Sequence, residues 1–188
     1  MKYLVTGRPS LGKLKLEPRH IVAQGDAMVF EGPWPWSAPV VATLDDAAVE
    51  RVRASGIDGY LVDALGDPGA GEAFVVAAHR MRDLVAFQPY ADQVGAVVQR
   101  FGGRFLARSG KAEMLGADFV SDRAVIIEFP CAADAVAFYV SDVYAPLMQI
   151  RHATSDPRFL VMARSGALPA EARAAAESYL RARVASAH

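Results

Sequence analysis

Tyr144 and Arg151 stand seven positions apart, a spacing that sets both side chains on one face of a helix. With Tyr139 they form a set able to hold an anionic or aromatic ligand: arginine forks to a carboxylate, and tyrosine offers a ring and a hydroxyl. The plainer role is structural, with Arg151 pairing Glu128 or a helix end and the tyrosines filling core. His79, followed by Arg80, closes the apolar run Ala73-Phe74-Val75-Val76-Ala77-Ala78. An imidazole at a sheet edge beside a cleft can act as a base, because its ordinary pKa lies near neutrality. A half-exposed histidine satisfied by backbone or solvent is the less specific reading. Tyr90 completes the polar set. Trp34-Pro35-Trp36 is a rigid apolar element suited to a pocket wall, a subunit contact or a lid over a cleft. The candidate ligand-binding residues are therefore His79, Tyr90, Tyr139, Tyr144, Arg151, Trp34 and Trp36, and none is assigned a catalytic step.

Other motifs carry less. Gly7-Arg8-Pro9-Ser10-Leu11-Gly12-Lys13 matches G-x-x-x-x-G-K after a strand, but Leu14 replaces the hydroxyl that would hold Mg²⁺. This segment is expected to be a surface loop. The four histidines, His20, His79, His152 and His188, lack H-x-H or H-x₃-H spacing, so neither a metal site nor a cofactor is expected. The single cysteine, Cys131, excludes an internal disulfide and is expected to be a small buried hydrophobe at a helix start.

Composition narrows the function classes. Apolar residues make up 53% and charged residues 22%, as in ordinary globular proteins. A net charge of −1, with Lys and Arg dispersed, argues against a nucleic-acid footprint. The opening MKYLVTGRPS has an apolar stretch of only about four residues, too short for a signal-peptide core or a membrane span. A cytoplasmic protein without membrane or nucleic-acid partners is expected.

The elements that must position these residues follow from periodicity. Gly66-Asp67-Pro68-Gly69-Ala70-Gly71 ends any helix or strand and reads as a linker over 67–72. Beyond it, Ala73 to Ala78 reads as a strand, and Leu84, Phe87, Tyr90, Ala91, Val94, Val97 and Val98 as a helical face closed by Gly102-Gly103. Arg104 to Ala107 and Ala124 to Phe129 are strand-like, with turns and a short paired strand between. A second helix follows over 132–149, kinked or restarted at Pro146, then a strand from Phe159 to Ala163. The order β-α-β-β-α-β over 73–164 is the ferredoxin-like arrangement. Ala172, Ala176, Tyr179, Leu180 and Val184 then form the apolar stripe of a C-terminal helix over 165–188.

Residues 1–66 repeat this order weakly. Ile21 to Gly32 lies over Phe105 to Gly116 without a gap, Val40 to Leu44 over Val125 to Phe129, and Lys2 to Thr6 over Ala73 to Ala77. Gly59 to Ala64 lies over Arg158 to Ala163. The fold class expected is thus α+β: two tandem ferredoxin-like copies, the first degenerate and lacking its first helix, packed as a pseudo-dimeric α+β barrel. A four-stranded sheet with helices on one face needs a cover on the other, and the first copy could supply it.

Phe101-Gly102-Gly103-Arg104-Phe105-Leu106-Ala107-Arg108, Met114-Leu115-Gly116, Val125-Ile126-Ile127-Glu128-Phe129-Pro130, Ala137 to Tyr144 and Arg151 carry a resemblance in spacing and order. Over 73–164 the chain resembles the bacterial family catalogued as domain of unknown function thirteen-thirty, with Phe138-Tyr139 where that family usually has Trp-Tyr. The resemblance implies the dimeric α+β barrel superfamily, a homodimer, and no established reaction. Two readings follow: a small-molecule binder or enzyme using a cleft between sheet and helices, or an oligomerisation or protein-interaction module. A closed structure with no cavity larger than a few waters would defeat the first, and a strictly monomeric particle in solution the second.

Overall fold

Strand β6 (Ala73–Met81) buries both of its faces, with Val75 and Ala77 turned one way and Phe74, Val76 and Ala78 the other. Such a strand must be covered on two sides. The computed structural model describes residues 1–116 and 121–185, without the side chains of Ser109 and Val184, so the expected place of Val184 in the C-terminal stripe and His188 lie outside the described residues. In it, β6 is central to a sheet of β3 (Ala27–Glu31), β10 (Ser155–Ala163), β6, β9 (Arg123–Phe129) and β7 (Arg104–Ser109), in that order. A first sheet runs β2 (Ile21–Ala23), β4 (Pro39–Leu44), β1 (Lys2–Gly7), β5 (Gly59–Asp63) and β8 (Glu113–Leu115). All neighbours in both sheets are antiparallel.

The sheets stack face to face. Tyr3, Val5 and Tyr60 from the first meet Phe74, Val76, Leu106 and Leu160 from the second in one buried core. The apolar face of the second sheet is therefore covered within the chain. Helices α1 (Arg8–Leu14) and α2 (Asp46–Ala54) lie outside the first sheet. Helices α3 (Leu84–Arg100), α4 (Ala132–Val140), α5 (Ala145–Thr154) and α6 (Ala170–Ala185) lie outside the second. The fold is α+β, and among the described residues it is two stacked sheets without barrel closure, joined at one corner by the isolated bridge of Ala64 to Ala107 and the Leu65 N–H donating to the Leu106 carbonyl.

Each half of the chain lends a strand to the other half's sheet. β3 pairs with β10 and β8 with β5, so the order 2-4-1-5 plus 8 in one sheet answers 7-9-6-10 plus 3 in the other. The edge registers also agree: Ile21↔Ala42 and Ala23↔Val41 correspond to Phe105↔Ile127 and Ala107↔Ile126. Both edge strands carry a bulge there, which turns Val22-Ala23 and Leu106-Ala107 as successive pairs into the inter-sheet core. Gly32 and Gly116, with φ of 66° and 86°, end the crossing ribbons in the left-handed region that favours glycine. In the last strand the correspondence shifts by one residue from that expected. Lys2 faces Asp63 and Ala73 faces Ala163, so Tyr60 answers Leu160, and both point into the inter-sheet core.

Two expectations are corrected. Arg8–Leu14 is neither a loop nor a gap where a helix is missing; it forms a seven-residue helix with Pro9 in its first turn and Leu14 buried. Cys131 precedes α4 but is exposed, its thiol donating to Asp134 Oδ2 at 3.1 Å. Elsewhere the punctuation acts as read. Asp83 caps α3 by accepting from the Val85 and Ala86 N–H groups at 3.0 and 2.9 Å. Gly102, at φ 70°, follows the end of α3. α4 stops at Val140, and α5 restarts with Pro146 in its first turn. α6 buries Ala172 and Ala176 in the same core as α4.

The glycine-rich segment between the halves is held in place. Buried Glu128 accepts from the Gly69 and Gly71 N–H groups at 2.9 and 3.1 Å, from Arg104 Nε at 2.7 Å and from Arg164 Nη2 at 2.9 Å. Glu128→Ala removes all of these at once. Because both arginines keep partial access to water, the expected cost is about 2–3 kcal/mol, read by urea unfolding, together with new proteolytic cleavage between Gly66 and Gly71.

Candidate functional site

A dense polar cluster lies between β3 and the helices of the second sheet. β3 carries a bulge at Phe30, since Phe159 faces Glu31 while Leu160 faces Val29. The bulge sets Phe30 and Glu31 together on the helix side. There Arg151, on α5 and wholly buried, forks onto Glu31 with Nη1 at 2.8 Å and Nη2 at 2.6 Å. The Tyr139 hydroxyl donates to Glu31, His152 Nε2 lies 3.0 Å from it, and Arg183 on α6 reaches the Tyr139 oxygen at 3.2 Å. The Arg151 guanidinium also sits over the Phe159 ring at 5.4 Å and the Tyr144 ring at 5.7 Å. Thus Arg151 pairs with Glu31 and not with Glu128.

Electrostatics fixes the protonation of this cluster. Burial works to raise the Glu31 carboxyl, but the His152 hydrogen bond and the charge and hydrogen bonds of Arg151 outweigh it and hold the group well below the usual carboxylate range. Burial, followed by the Glu31 charge, pushes the Tyr139 phenol well up, and burial does the same to Tyr144. A carboxylate fixed as an anion and phenols fixed as neutral suit holding an architecture together. They do not suit proton transfer near neutral pH, which needs a group that titrates there.

A second locus adjoins the first through Tyr144, whose hydroxyl lies 3.3 Å from that of Tyr90 on α3. It is a crevice between α3 and the helix-side face of the second sheet, lined by His79, Phe87, Tyr90, Phe105, Arg108 and Arg123, with Phe138 and Phe159 behind. Its free space amounts to a cavity of about 20 Å³, room for about one water. Counted with its open mouth, the space between atoms is about 440 Å³. As it stands the crevice is shut to an organic ligand. His79, 2% exposed, has Nδ1 3.5 Å from Ser155 Oγ. Burial, then repulsion from Arg151, lowers its pKa to about 3, so it is neutral rather than a poised base.

The sequence-derived candidates divide accordingly. His79 and Tyr90 line the crevice, Tyr144 bridges, and Tyr139 and Arg151 belong to the buried cluster. Trp34 and Trp36 are elsewhere: they pack edge to face at 6.1 Å against the inter-sheet core, and Trp36 lies 6.4 Å from Tyr60. The second sheet separates them from the tyrosine and arginine helices. Polar residues absent from the candidate set also stand at these loci, among them Glu31, His152, Arg183, Arg108 and Arg123. Among the described residues no helix is long and apolar enough to cross a membrane.

Residues 72–164 match the profile of a family described as domain of unknown function, DUF1330. Among solved structures, the chain is similar to a protein of unknown function from Rhodopseudomonas palustris, determined as a structural genomics target, at 20% identity over 64% of this chain and 93% of that one, with a TM-score of 0.43. No curated protein matches the chain.

Proposed function

We propose that this chain, whose residues 72–164 belong to the DUF1330 family, binds a small molecule in the crevice between α3 and the second sheet, with the Glu31–Arg151 cluster as the frame that holds the crevice walls. The observation that carries the reading is the convergence of His79, Tyr90, Arg108 and Arg123 on an otherwise apolar slot of aromatic and aliphatic side chains, the usual composition of a ligand site. The crevice as it stands has room for about one water, which by itself counts against a binder, so the reading requires the wall to yield on entry. Pro89 inside α3 gives a place for that: its missing N–H leaves the Val85 carbonyl without its helical donor, so the first turn, which carries Phe87, is the weakest part of the helix. We read the halves as two copies of one unit that cover each other. A homodimer would use a surface other than the sheet face, which is already covered.

The test is an amide-resolved NMR titration with a set of small organic acids, amides and phenols. Binding in the crevice is expected to move the resonances of β6, β9 and the first two turns of α3 together, and those of the first sheet's helices hardly at all. A set that perturbs nothing, or perturbs only remote surface amides, removes the reading.

A further inference from the structure

The two arginines at the crevice mouth arrive there by separate devices. In a regular strand Arg108 would share the face of Leu106 and point between the sheets. The bulge at Leu106-Ala107 turns it instead onto the face of Phe105. Arg123 opposes His79 across the β6–β9 pair. Arg108 opposes Val125, two residues along from Arg123, so the two cations are diagonal neighbours on one face, a separation of about 7–8 Å or somewhat less. Among the described residues no carboxylate forms an ion pair with either. Arg108 is used in part, its Nη2 donating to the Ala91 carbonyl of α3 and its guanidinium lying 4.9 Å from the Phe105 ring. Arg123 is less satisfied: its Nε is buried without a hydrogen-bond partner and its guanidinium lies over Phe87 at 5.0 Å. Burial, and after it the charge of Arg108, works against its protonated form. A buried donor without an acceptor beside a like charge is costly, and the contact with the Phe87 ring offsets it only in part.

We infer that the crevice takes an organic carboxylate with a flat apolar body, its carboxylate set between Arg108 and Arg123 and its body against Phe87 and Phe105. The inference rests on the binding reading above and adds the ligand class to it. A carboxylate supplies the acceptors that Arg123 lacks and relieves the repulsion between the two cations. A carboxylate is planar and can lie in the plane of an attached ring, whereas a tetrahedral phosphate is thicker than the ring. The rings of Phe87, Phe105 and Tyr90 suit a flat apolar partner, and the charges of Arg108 and Arg123 disfavour an amine.

Benzoate and its neutral isostere benzamide, titrated against the full chain by calorimetry and amide NMR, separate the possibilities. Benzoate is expected to bind at least about tenfold more tightly than benzamide, a charge-assisted contact being the difference, and to weaken with added salt. Arg123→Gln and Arg108→Gln should each weaken benzoate about tenfold and weaken benzamide several-fold less, because only the carboxylate loses a charge-assisted bond. Arg123→Lys, which keeps the charge, preserves the preference for benzoate, and its thermal unfolding shows whether the fold is intact should a Gln variant fail to fold. Equal binding of benzoate and benzamide, insensitive to both Gln variants, overturns the carboxylate inference and leaves the crevice reading standing. Binding of neither overturns the carboxylate inference, and the crevice reading falls with it only if the wider set of acids, amides and phenols also leaves β6, β9 and α3 unperturbed.

Discussion

Glu31→Ala is expected to destabilise the protein by about 3–5 kcal/mol, the cost of leaving a buried charge without its partner. Arg151 has no exposure, and its Nη1 and Nη2 both end on Glu31. The same substitution strips the acceptor from Tyr139 and the partner from His152. Because Glu31 sits on β3, which comes from the first half and pairs with β10 in the second, the loss should also loosen the contact between the halves. Urea unfolding monitored at the tryptophans and by far-ultraviolet circular dichroism measures it. The double variant Glu31→Leu with Arg151→Met should recover most of the loss, since apolar replacement of a whole buried ion pair is often neutral. A change below about 1 kcal/mol for Glu31→Ala, in the range of exposed ion pairs, contradicts the role given to this cluster.

The second large effect is a loss of stability on mild acidification, traced to His79. The unfolded chain binds a proton at this residue near pH 6.5, whereas the folded chain resists it down to about pH 3. Between those values the unfolded state holds more protons, so stability falls as pH falls. Burial opposes the imidazolium first. Arg151, Arg123 and His152 face it and oppose it further, while Glu31 favours it. The slope approaches 1.4 kcal/mol per pH unit, or about 3 kcal/mol from pH 6.5 to pH 4. His79→Leu should remove this part of the profile. Glu31 acts lower: its carboxyl is held below its ordinary range, so its contribution is present above about pH 4.3 and is lost as pH falls further. Unfolding free energies from urea titrations at stepped pH, wild type against His79→Leu, check this. Parallel profiles between pH 6.5 and pH 4 contradict it.

Much of the second half was legible because its periodicities are strong. Phe74, Val76 and Ala78 against Val75 and Ala77 mark a strand buried on both faces, and Phe87, Val94 and Val98 mark the buried face of α3. Gly102 ends α3 because only a residue free to take positive φ fits there. α1 escaped notice because seven residues with Leu14 alone buried leave no repeating apolar face. The partners at both polar loci depended on bulges. Simple alternation puts Arg108 on the face of Leu106 and Glu31 opposite Phe30, whereas a single extra residue in each edge strand reverses both. The pairing of Arg151 with Glu31 in place of Glu128 further required β3 to cross from one half to the other, a long-range exchange that local pattern does not encode.

The crystal structure of the protein soaked with benzoate tests the binding account most directly. The account predicts one benzoate between α3 and the second sheet, its carboxylate within hydrogen-bond reach of Arg108 and Arg123, with Phe87 and the first turn of α3 displaced outward and the Glu31–Arg151 pair unchanged. A saturated crystal whose crevice stays shut, with its enclosed space still about 20 Å³ and no benzoate at the two arginines, contradicts it.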